Sequence, residues 1–220
     1  MNSPMVSRSS TQQGVIQTNK VLRNTYFLLS LTLLWSAVVA GVSMAMNLPY
    51  PNFIIVLVGF YGLLFMIEKN RNNSLGLVFT FALTGFMGYT LGPILNMYIG
   101  AGMGDVVMTA LGGTALAFMA ASAYALTTKR DLSFLNGMML AGFVVLIVGM
   151  IANFFLQMPV LSLALSGMFI LFSTGAILLT TQSIVRGGET NYISATVTLY
   201  VSIYNIFISL LSILGVMNDD

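Results

Sequence analysis

The sequence predicts an all-α membrane protein built from seven transmembrane helices. Only 6% of its 220 residues are charged and 57% are hydrophobic. A soluble domain carries about 25% charged residues, so this chain could not cover a water-facing surface. Seven long apolar stretches alternate with short polar breaks, and the basic residues fall only before the first stretch or in every second break. Together, these observations indicate seven crossings of a bilayer.

Each apolar stretch is close to the length of a membrane-spanning helix, which needs about 17–25 residues. Pro159 suits the first turn of the sixth helix, where its missing N–H is harmless. The pair Gly187-Gly188 ends that helix before the seventh begins. The second stretch is the shortest. The predicted helices cover residues 21–46, 53–68, 75–97, 106–127, 132–156, 159–184 and 191–215.

The basic residues also predict the orientation, because Lys and Arg accumulate in cytoplasmic loops. None follows the first, third, fifth or seventh stretch. We therefore expect the N-terminus on the cytoplasmic side of the membrane and the C-terminus on the outside. Eight dispersed basic residues do not predict a nucleic-acid partner. They are Arg8, Lys20 and Arg23 before the first stretch, Lys69 and Arg71 after the second, Lys129 and Arg130 after the fourth, and Arg186 after the sixth.

The chain divides into one membrane domain and two short termini. Residues 1–20 are rich in Ser, Thr, Gln and Asn, and such a segment has too little apolar surface to offset its ordering entropy. We expect a flexible cytoplasmic tail there. Residues 21–216 form the membrane domain, and residues 217–220 form a short external C-terminus.

Composition argues against an enzyme, a cofactor and a metal site. The chain has no Cys and no His, which removes thiolate ligands, Cys nucleophiles and imidazole proton relays. Ionisable groups inside spans usually mark transport or proton relay, and none lies in the middle of any predicted span. Glu68, Asp105 and Glu189 fall at predicted helix ends and are interpreted as solvated caps.

A row of polar side chains along the seventh helix is the candidate site. Its spacing places every member on one helical face. Lipid cannot hydrogen-bond these groups, so the row should face protein or water, with the helix inside the bundle. Two interpretations stay open: a polar conduit or ligand site, and hydrogen bonding and close packing between helices. The row is Asn191, Ser194, Thr198, Ser202, Asn205, Ser209 and Ser212.

The third helix carries Gly92-Pro93 near its outer end. A proline inside a helix loses the hydrogen bond to the residue four positions back and kinks or ends the helix. The helix should either stop near Asn96 or bend here, and we favour a kink. Small residues recur at Thr84, Gly88 and Gly92, a spacing that lets two helix backbones approach closely.

Three segments resemble one known family. They are KVLRNTYFLLSLTL (20–33), TGFMGYTLGPILNMYIGAGMGD (84–105) and GGETNYISATVTLYVSIYNIFISLLSILG (187–215). The chain is similar over nearly all its length to the bacterial, YccA-like branch of the Bax inhibitor-1 family. The resemblance implies a protein of the bacterial inner membrane, with its C-terminus on the periplasmic side and its seventh helix wrapped by the other six. It also implies an interaction with the membrane-bound, ATP-dependent protease FtsH, which such proteins restrain as slow substrates.

Other members of the wider family are calcium-leak channels gated by two aspartates on the sixth and seventh helices. The resemblance puts Thr180 and Ser202 at those acidic positions, and both are neutral here. A hard divalent cation usually takes carboxylates among its oxygen ligands, and a neutral pair cannot titrate near neutral pH. A calcium or proton leak is therefore the alternative function, with weak cation passage along the polar row at most.

Overall fold

The computed structural model describes the backbone of residues 5–218 and the side chains of residues 17–218. Within this range the chain forms seven helices and no strand. Every helix contains an apolar section long enough to cross a membrane, which in the first helix runs from Gln17 to Ala45. The predicted fold class is confirmed. The helices are α1 (Met5–Ala45), α2 (Phe53–Asn70), α3 (Ser74–Gly100), α4 (Gly104–Thr127), α5 (Leu135–Leu156), α6 (Pro159–Val185) and α7 (Tyr192–Asn218).

The start of α1 differs most from the predicted boundaries. A start at residue 21 is wrong, because the backbone is already helical from Met5. Extending an existing helix adds a hydrogen bond for each residue fixed and avoids the cost of nucleation. The apolar span can therefore carry a polar extension that would not form a helix alone. Residues 1–4 and 219–220 lie outside the described range, and the flexibility of either terminus stays a prediction.

The alternating helices give the bundle two chemically different ends. The segments 71–73, 128–134 and 186–191 meet at one end, which we call the basic end because it holds Lys69, Arg71, Lys129, Arg130 and Arg186. The segments 46–52, 101–103 and 157–158 meet at the opposite end. Helix α6 runs from the opposite end to the basic end, and α7 returns.

Helix α7 lies at the centre of the bundle. It packs against α1, α2, α3, α4 and α6, and its Leu199, Tyr200 and Ile206 side chains are fully buried. We expected all six other helices to surround α7, and five of them do. Within the described range, the α5 backbone lies beside that of α6 alone, and the Phe154 ring of α5 stacks on Phe53 of α2. A face of α7 is thus left without a helix beside it.

Glycines explain the close approach of α1 and α3. A Cβ on Gly88 would overlap the Ser36 carbonyl oxygen, and one on Gly92 would overlap the Ser43 hydroxyl. Trp35 of α1 donates from its ring nitrogen to the Phe81 carbonyl of α3 across 3.0 Å. The predicted row of small residues on the third helix is therefore the surface on which α1 lies.

Helix α3 continues through Pro93 to Gly100, so the alternative that it stops near Asn96 is wrong. Proline has no N–H to donate to the carbonyl of Tyr89, four positions back. The Ser43 hydroxyl of α1 donates to that carbonyl instead, at 3.0 Å. A neighbouring hydroxyl is one of the ways in which a membrane helix satisfies the carbonyl freed by a proline. A bend at Gly92-Pro93 stays a prediction.

Candidate functional site

One side of α7 joins it to α1 and α3 through hydrogen bonds. The Tyr200 hydroxyl lies 2.6 Å from the Ser36 hydroxyl oxygen and donates to the Thr84 carbonyl at 3.2 Å. The Tyr204 hydroxyl lies 3.2 Å from the hydroxyl oxygen of Thr90. These groups satisfy one another in the middle of the bundle. Hydrogen bonding between helices, one of the two open interpretations, therefore describes this tyrosine side of α7.

Asn191, the first member of the predicted row, caps α7. Its side-chain oxygen accepts from the backbone N–H groups of Ile193 and Ser194, at 3.0 and 3.1 Å. Its amide nitrogen donates to the Arg71 carbonyl and to the Asn72 side chain, both at 2.9 Å. An Asn at this position satisfies N–H groups that the helix cannot. The residue therefore fixes the start of α7 to the segment between α2 and α3.

The segment between α4 and α5 is held against the end of α6. The buried Gln182 side chain accepts from the Leu132 N–H at 2.8 Å and donates to the Arg130 carbonyl at 2.9 Å. The Arg186 guanidinium donates to the same carbonyl at 2.7 Å and pairs with Asp131 at 3.1 Å. These contacts orient residues 130–132 over the basic end of α6.

Asp131 stays ionised in this arrangement. Its carboxylate accepts from the Ser133 backbone N–H at 2.9 Å. That bond is the largest cause that holds the pKa of Asp131 below its ordinary value, followed by the Ser133 hydroxyl and, more weakly, by the Arg186 guanidinium. Each of these donors favours the charged form of the carboxyl group.

The other side of α7 faces a second polar row, on α6. Ser162, Ser166, Ser173 and Thr180 recur at intervals of 4, 7 and 7 residues, so they share one helical face. Helices α6 and α7 pack together along their length. We call the two rows the polar seam. Its α7 members are Thr198, Ser202, Asn205, Ser209 and Ser212.

A cavity of about 480 Å³ lies at the basic end of the seam. Thr180 of α6 and Thr198 of α7 line it, together with Asp131, Gln182 and Glu189. Thr198 is exposed, and its hydroxyl donates to the Ser194 carbonyl at 3.0 Å. Two predicted site residues, Thr180 and Thr198, thus meet at one polar surface near the end of the bundle.

A second cavity, of about 300 Å³, lies at the opposite end of the seam, between α5, α6 and α7. Asn205, Ser209 and Ser212 line it from α7, and Ser162 and Ser166 line it from α6. Asn153 of α5 also faces it and donates to the Ser162 hydroxyl at 2.9 Å. We call this space the opposite-end cavity.

The seam is closed between the two cavities. On α6, Ser173 is 1% exposed and Ile177 is 0% exposed. On α7, the buried Ser202 donates to the Thr198 carbonyl at 2.8 Å. These three residues form what we call the closed section. The predicted row of α7 therefore does not line one continuous space: its two ends line separate cavities, and Ser202 lies in the protein interior between them.

Comparison with known proteins places the chain in a family. Residues 18–219 match the family described as inhibitor of apoptosis-promoting Bax1. This chain belongs to that family. The protein named "Modulator of FtsH protease YccA" in Escherichia coli strain K12 is 59% identical over 216 residues, which cover 98% of this chain and 99% of the relative. An "Uncharacterized membrane protein" of Vibrio cholerae is 46% identical over 222 residues, which cover 100% of both chains.

Within this Bax inhibitor-1 family member, the two positions expected to carry acidic groups lie in different surroundings. Thr180 lines the basic-end cavity, whereas Ser202 lies in the closed section and bonds to its own helix. The polar residue of α7 that shares the cavity with Thr180 is Thr198. A role for any of these residues in conduction stays a prediction.

Sequence reasoning missed the row of the polar seam that lies on α6 and the α5 residue that lines the opposite-end cavity. Ser162, Ser166 and Ser173 were not singled out, although their 4- and 7-residue spacing was visible. The signal was weaker than that of α7, because three serines are diluted by the apolar residues of a 27-residue helix. Asn153 gave no periodic signal, since it is a single polar side chain that α5 directs toward the opposite-end cavity.

Proposed function

We propose that this protein is an inner-membrane regulator that interacts with FtsH and restrains it, acting as a slowly degraded substrate. The single observation that carries the proposal is the 59% identity to the E. coli modulator of FtsH protease, over 98% of this chain and 99% of that one. The proposed role is that of a regulator and not of an enzyme.

The proposed orientation places the basic end of the bundle in the cytoplasm. A relative in another E. coli strain, also 59% identical, is named "Inner membrane protein YccA". The basic residues of the segments between helices lie at one end of the bundle, and such residues are retained on the cytoplasmic side. The start of α1 would then extend into the cytoplasm, where an ATP-driven protease could seize it.

Slow extraction follows from the position of α1. A protease that pulls from the N-terminus must remove α1 first, and α1 packs against α3, α6 and α7. The Thr196 hydroxyl of α7 donates to the Thr25 carbonyl of α1 at 3.2 Å, and Ser36 bonds to Tyr200. The pulled helix is therefore held by the core of the bundle from the beginning. A substrate that resists at the first step occupies the protease for longer.

The alternative, an ion leak, is not favoured by the arrangement of the seam. Ile177 and Ser202 separate the two cavities, and the groups between them are neutral. An ion crossing this section would lose most of its hydration with no carboxylate to replace it, which is strongly unfavourable in an apolar surrounding. Regulation through a protein partner needs no such passage.

The test is to weaken the hold on α1 and follow the protein in native membranes. Tyr200→Phe removes the hydroxyl that joins Ser36 to Thr84. Tyr61→Phe is the matched control, because Tyr61 is 57% exposed on the outside of α2 and its hydroxyl makes no hydrogen bond among the described residues. FtsH should copurify with the tagged wild-type protein, and its degradation of a second, soluble substrate should be measured in parallel.

We expect Tyr200→Phe to shorten the half-life of the protein and to relieve the restraint on FtsH, while Tyr61→Phe leaves both at the wild-type level. Interhelical hydrogen bonds in membranes contribute about 0.6 kcal/mol on average, so the loss of two bonds predicts a roughly five- to tenfold faster extraction. Failure of FtsH to copurify, with a half-life that does not depend on FtsH, would refute the proposal.

A further inference from the structure

The opposite-end cavity contains polar groups that the protein leaves without partners. Ser209 is 5% exposed and lines the cavity, yet its hydroxyl makes no hydrogen bond with any described residue. The same holds for the side-chain amide of Asn205, midway along α7. The Asn153 side-chain oxygen is buried and also unpartnered. Two helices, α5 and α7, thus direct unpaired donors and acceptors into one space.

Hydrocarbon is an unsuitable occupant for such a space. Lipid tails neither donate nor accept hydrogen bonds, so each of these groups would remain unsatisfied against them, at a substantial cost in free energy. Water satisfies such groups when each molecule finds two to four polar partners, and a volume of about 300 Å³ has room for about ten molecules at the density of the liquid. Met150, Leu165, Phe169 and Ile208 also line the cavity, but it is the unpaired polar groups that distinguish the two occupants, and these groups favour water over an acyl chain.

The cavity also begins where water is available. Ser162 lies within one turn of the start of α6 at Pro159, and Asn153 lies within one turn of the end of α5 at Leu156. Both helix termini belong to the opposite end of the bundle. The cavity reaches inward from there to Asn205, about 10 Å beyond Ser212 along the α7 axis. The α5 backbone lies beside that of α6 alone and does not contact α7, and the rings of Phe53 of α2 and Phe154 of α5 stack near the same end of the bundle.

We propose that the opposite-end cavity is an aqueous vestibule: water enters from the opposite end of the bundle, reaches Asn205 at mid-membrane and stops at the closed section. The ligands it admits are water and small hydrophilic solutes that bind through neutral oxygen and amide groups. This proposal does not depend on an interaction with FtsH.

The absence of cysteine from the chain makes the proposal directly testable. Single substitutions Ser209→Cys and Asn205→Cys place a thiol in the vestibule. Two controls place it elsewhere at similar depth: Leu171→Cys on the lipid-facing side of α6, where the wild-type side chain is 75% exposed, and Ser202→Cys in the closed section. Each variant is reconstituted into nanodiscs that hold one copy of the chain, and its reaction with a charged methanethiosulfonate reagent is timed.

We expect Ser209→Cys and Asn205→Cys to react about 100-fold faster than Leu171→Cys, because only a hydrated thiol ionises to the reactive thiolate. Ser202→Cys should be as slow as Leu171→Cys. Rates in unfolding detergent, which exposes every thiol, should be equal for all four variants and serve to normalise them.

Two results would overturn the proposal. Equal, slow reaction of Ser209→Cys and Leu171→Cys would mean that water does not enter the cavity. Fast reaction of Ser202→Cys would mean that water passes the closed section and that the space is not a vestibule with a closed inner end. Copurification with FtsH could succeed or fail without changing either outcome.

Discussion

The Ser43 hydroxyl should stabilise the protein, and this effect should depend on the presence of Pro93 in α3. The Ser43 side chain is buried, and its hydroxyl is the donor to the Tyr89 carbonyl that the proline leaves free. In Ser43→Ala that carbonyl has no donor in an apolar surrounding. A buried polar group left unsatisfied costs about 1–3 kcal/mol, and measured hydrogen bonds between membrane helices reach about 1.7 kcal/mol. We therefore expect Ser43→Ala to lower the free energy of unfolding by about 1–2 kcal/mol.

The proline supplies the second arm of the experiment. In Pro93→Ala the helix regains the N–H that bonds to the Tyr89 carbonyl, so the Ser43 hydroxyl is no longer needed. The effect of Ser43→Ala in this background should fall below about 0.5 kcal/mol, which gives a coupling energy near 1 kcal/mol in the double-mutant cycle. Ser30→Ala is a matched control on α1, because the Ser30 hydroxyl donates to the Tyr26 carbonyl within the same helix.

Unfolding by SDS in mixed micelles can be followed through Trp35, the one tryptophan of the chain. Its ring nitrogen donates to the Phe81 carbonyl, so its fluorescence reports directly on the separation of α1 from α3. The reasoning is refuted if Ser43→Ala destabilises the protein equally with and without Pro93, or if it has no larger effect than Ser30→Ala.

Four further predictions concern the ends of the bundle. Alkaline phosphatase should be active when fused after Asp220 and silent when fused after Arg130, because the basic end should be cytoplasmic. Deleting residues 2–16 should leave the bundle folded, since the apolar span of α1 begins at Gln17, and should lengthen the half-life of the protein by removing the segment that a protease would seize. Gln182→Leu should speed trypsin cleavage of the segment between α4 and α5 several-fold, because both bonds of Gln182 to that segment are lost. In the wild-type protein this protection should be constant from pH 5 to pH 8: the pKa of Asp131 is lowered, so its contribution to stability is complete above the unfolded value near 4 and is lost only as the pH falls further.

Each of these predictions has a decisive contrary result. Phosphatase activity after Arg130 would invert the assigned orientation. An unchanged half-life after the deletion would rule out the start of α1 as the site of protease engagement, provided that the truncated protein unfolds in SDS like the wild type. For Gln182→Leu, a cleavage rate equal to that of the wild type would mean that Arg186 holds the segment by itself. Protection lost between pH 7 and pH 5 would point to a titrating group other than Asp131.

Hydropathy and basic residues predicted most of the architecture, because a bilayer imposes simple constraints on length and polarity. The seven spans were predicted within a few residues at most boundaries, and the polar row correctly indicated that α7 is central. The start of α1 was not predicted, because the composition of a segment indicates whether its side chains can be buried and does not indicate whether its backbone is helical. A polar segment that continues an existing helix does not have to bury anything in order to stay helical.

The candidate site was only half predicted, for a different reason. A row on one helix can be read from spacing, but the surface that it faces depends on how helices are arranged around it. The position of α5 is set by packing against α6, and nothing in the sequence of α5 indicated that it would leave α7 uncovered. Likewise, Pro93 and Ser43 are 50 positions apart, so the bond that compensates for the proline could be identified only in the folded chain.

The short closed section has an electrical consequence. If water reaches Thr198 from one side and Asn205 from the other, they are separated by seven residues of α7, or about 10 Å, in a hydrocarbon layer about 30 Å thick. A membrane voltage would then fall mainly over this section, where the field would be about three times that of the surrounding bilayer. A unit charge placed there would experience nearly the full potential, about 2.3 kcal/mol for each 100 mV. The side chains of this section, Ser173, Ile177 and Ser202, carry no charge. A change in membrane voltage would therefore do no work on the section of the protein where the field is strongest.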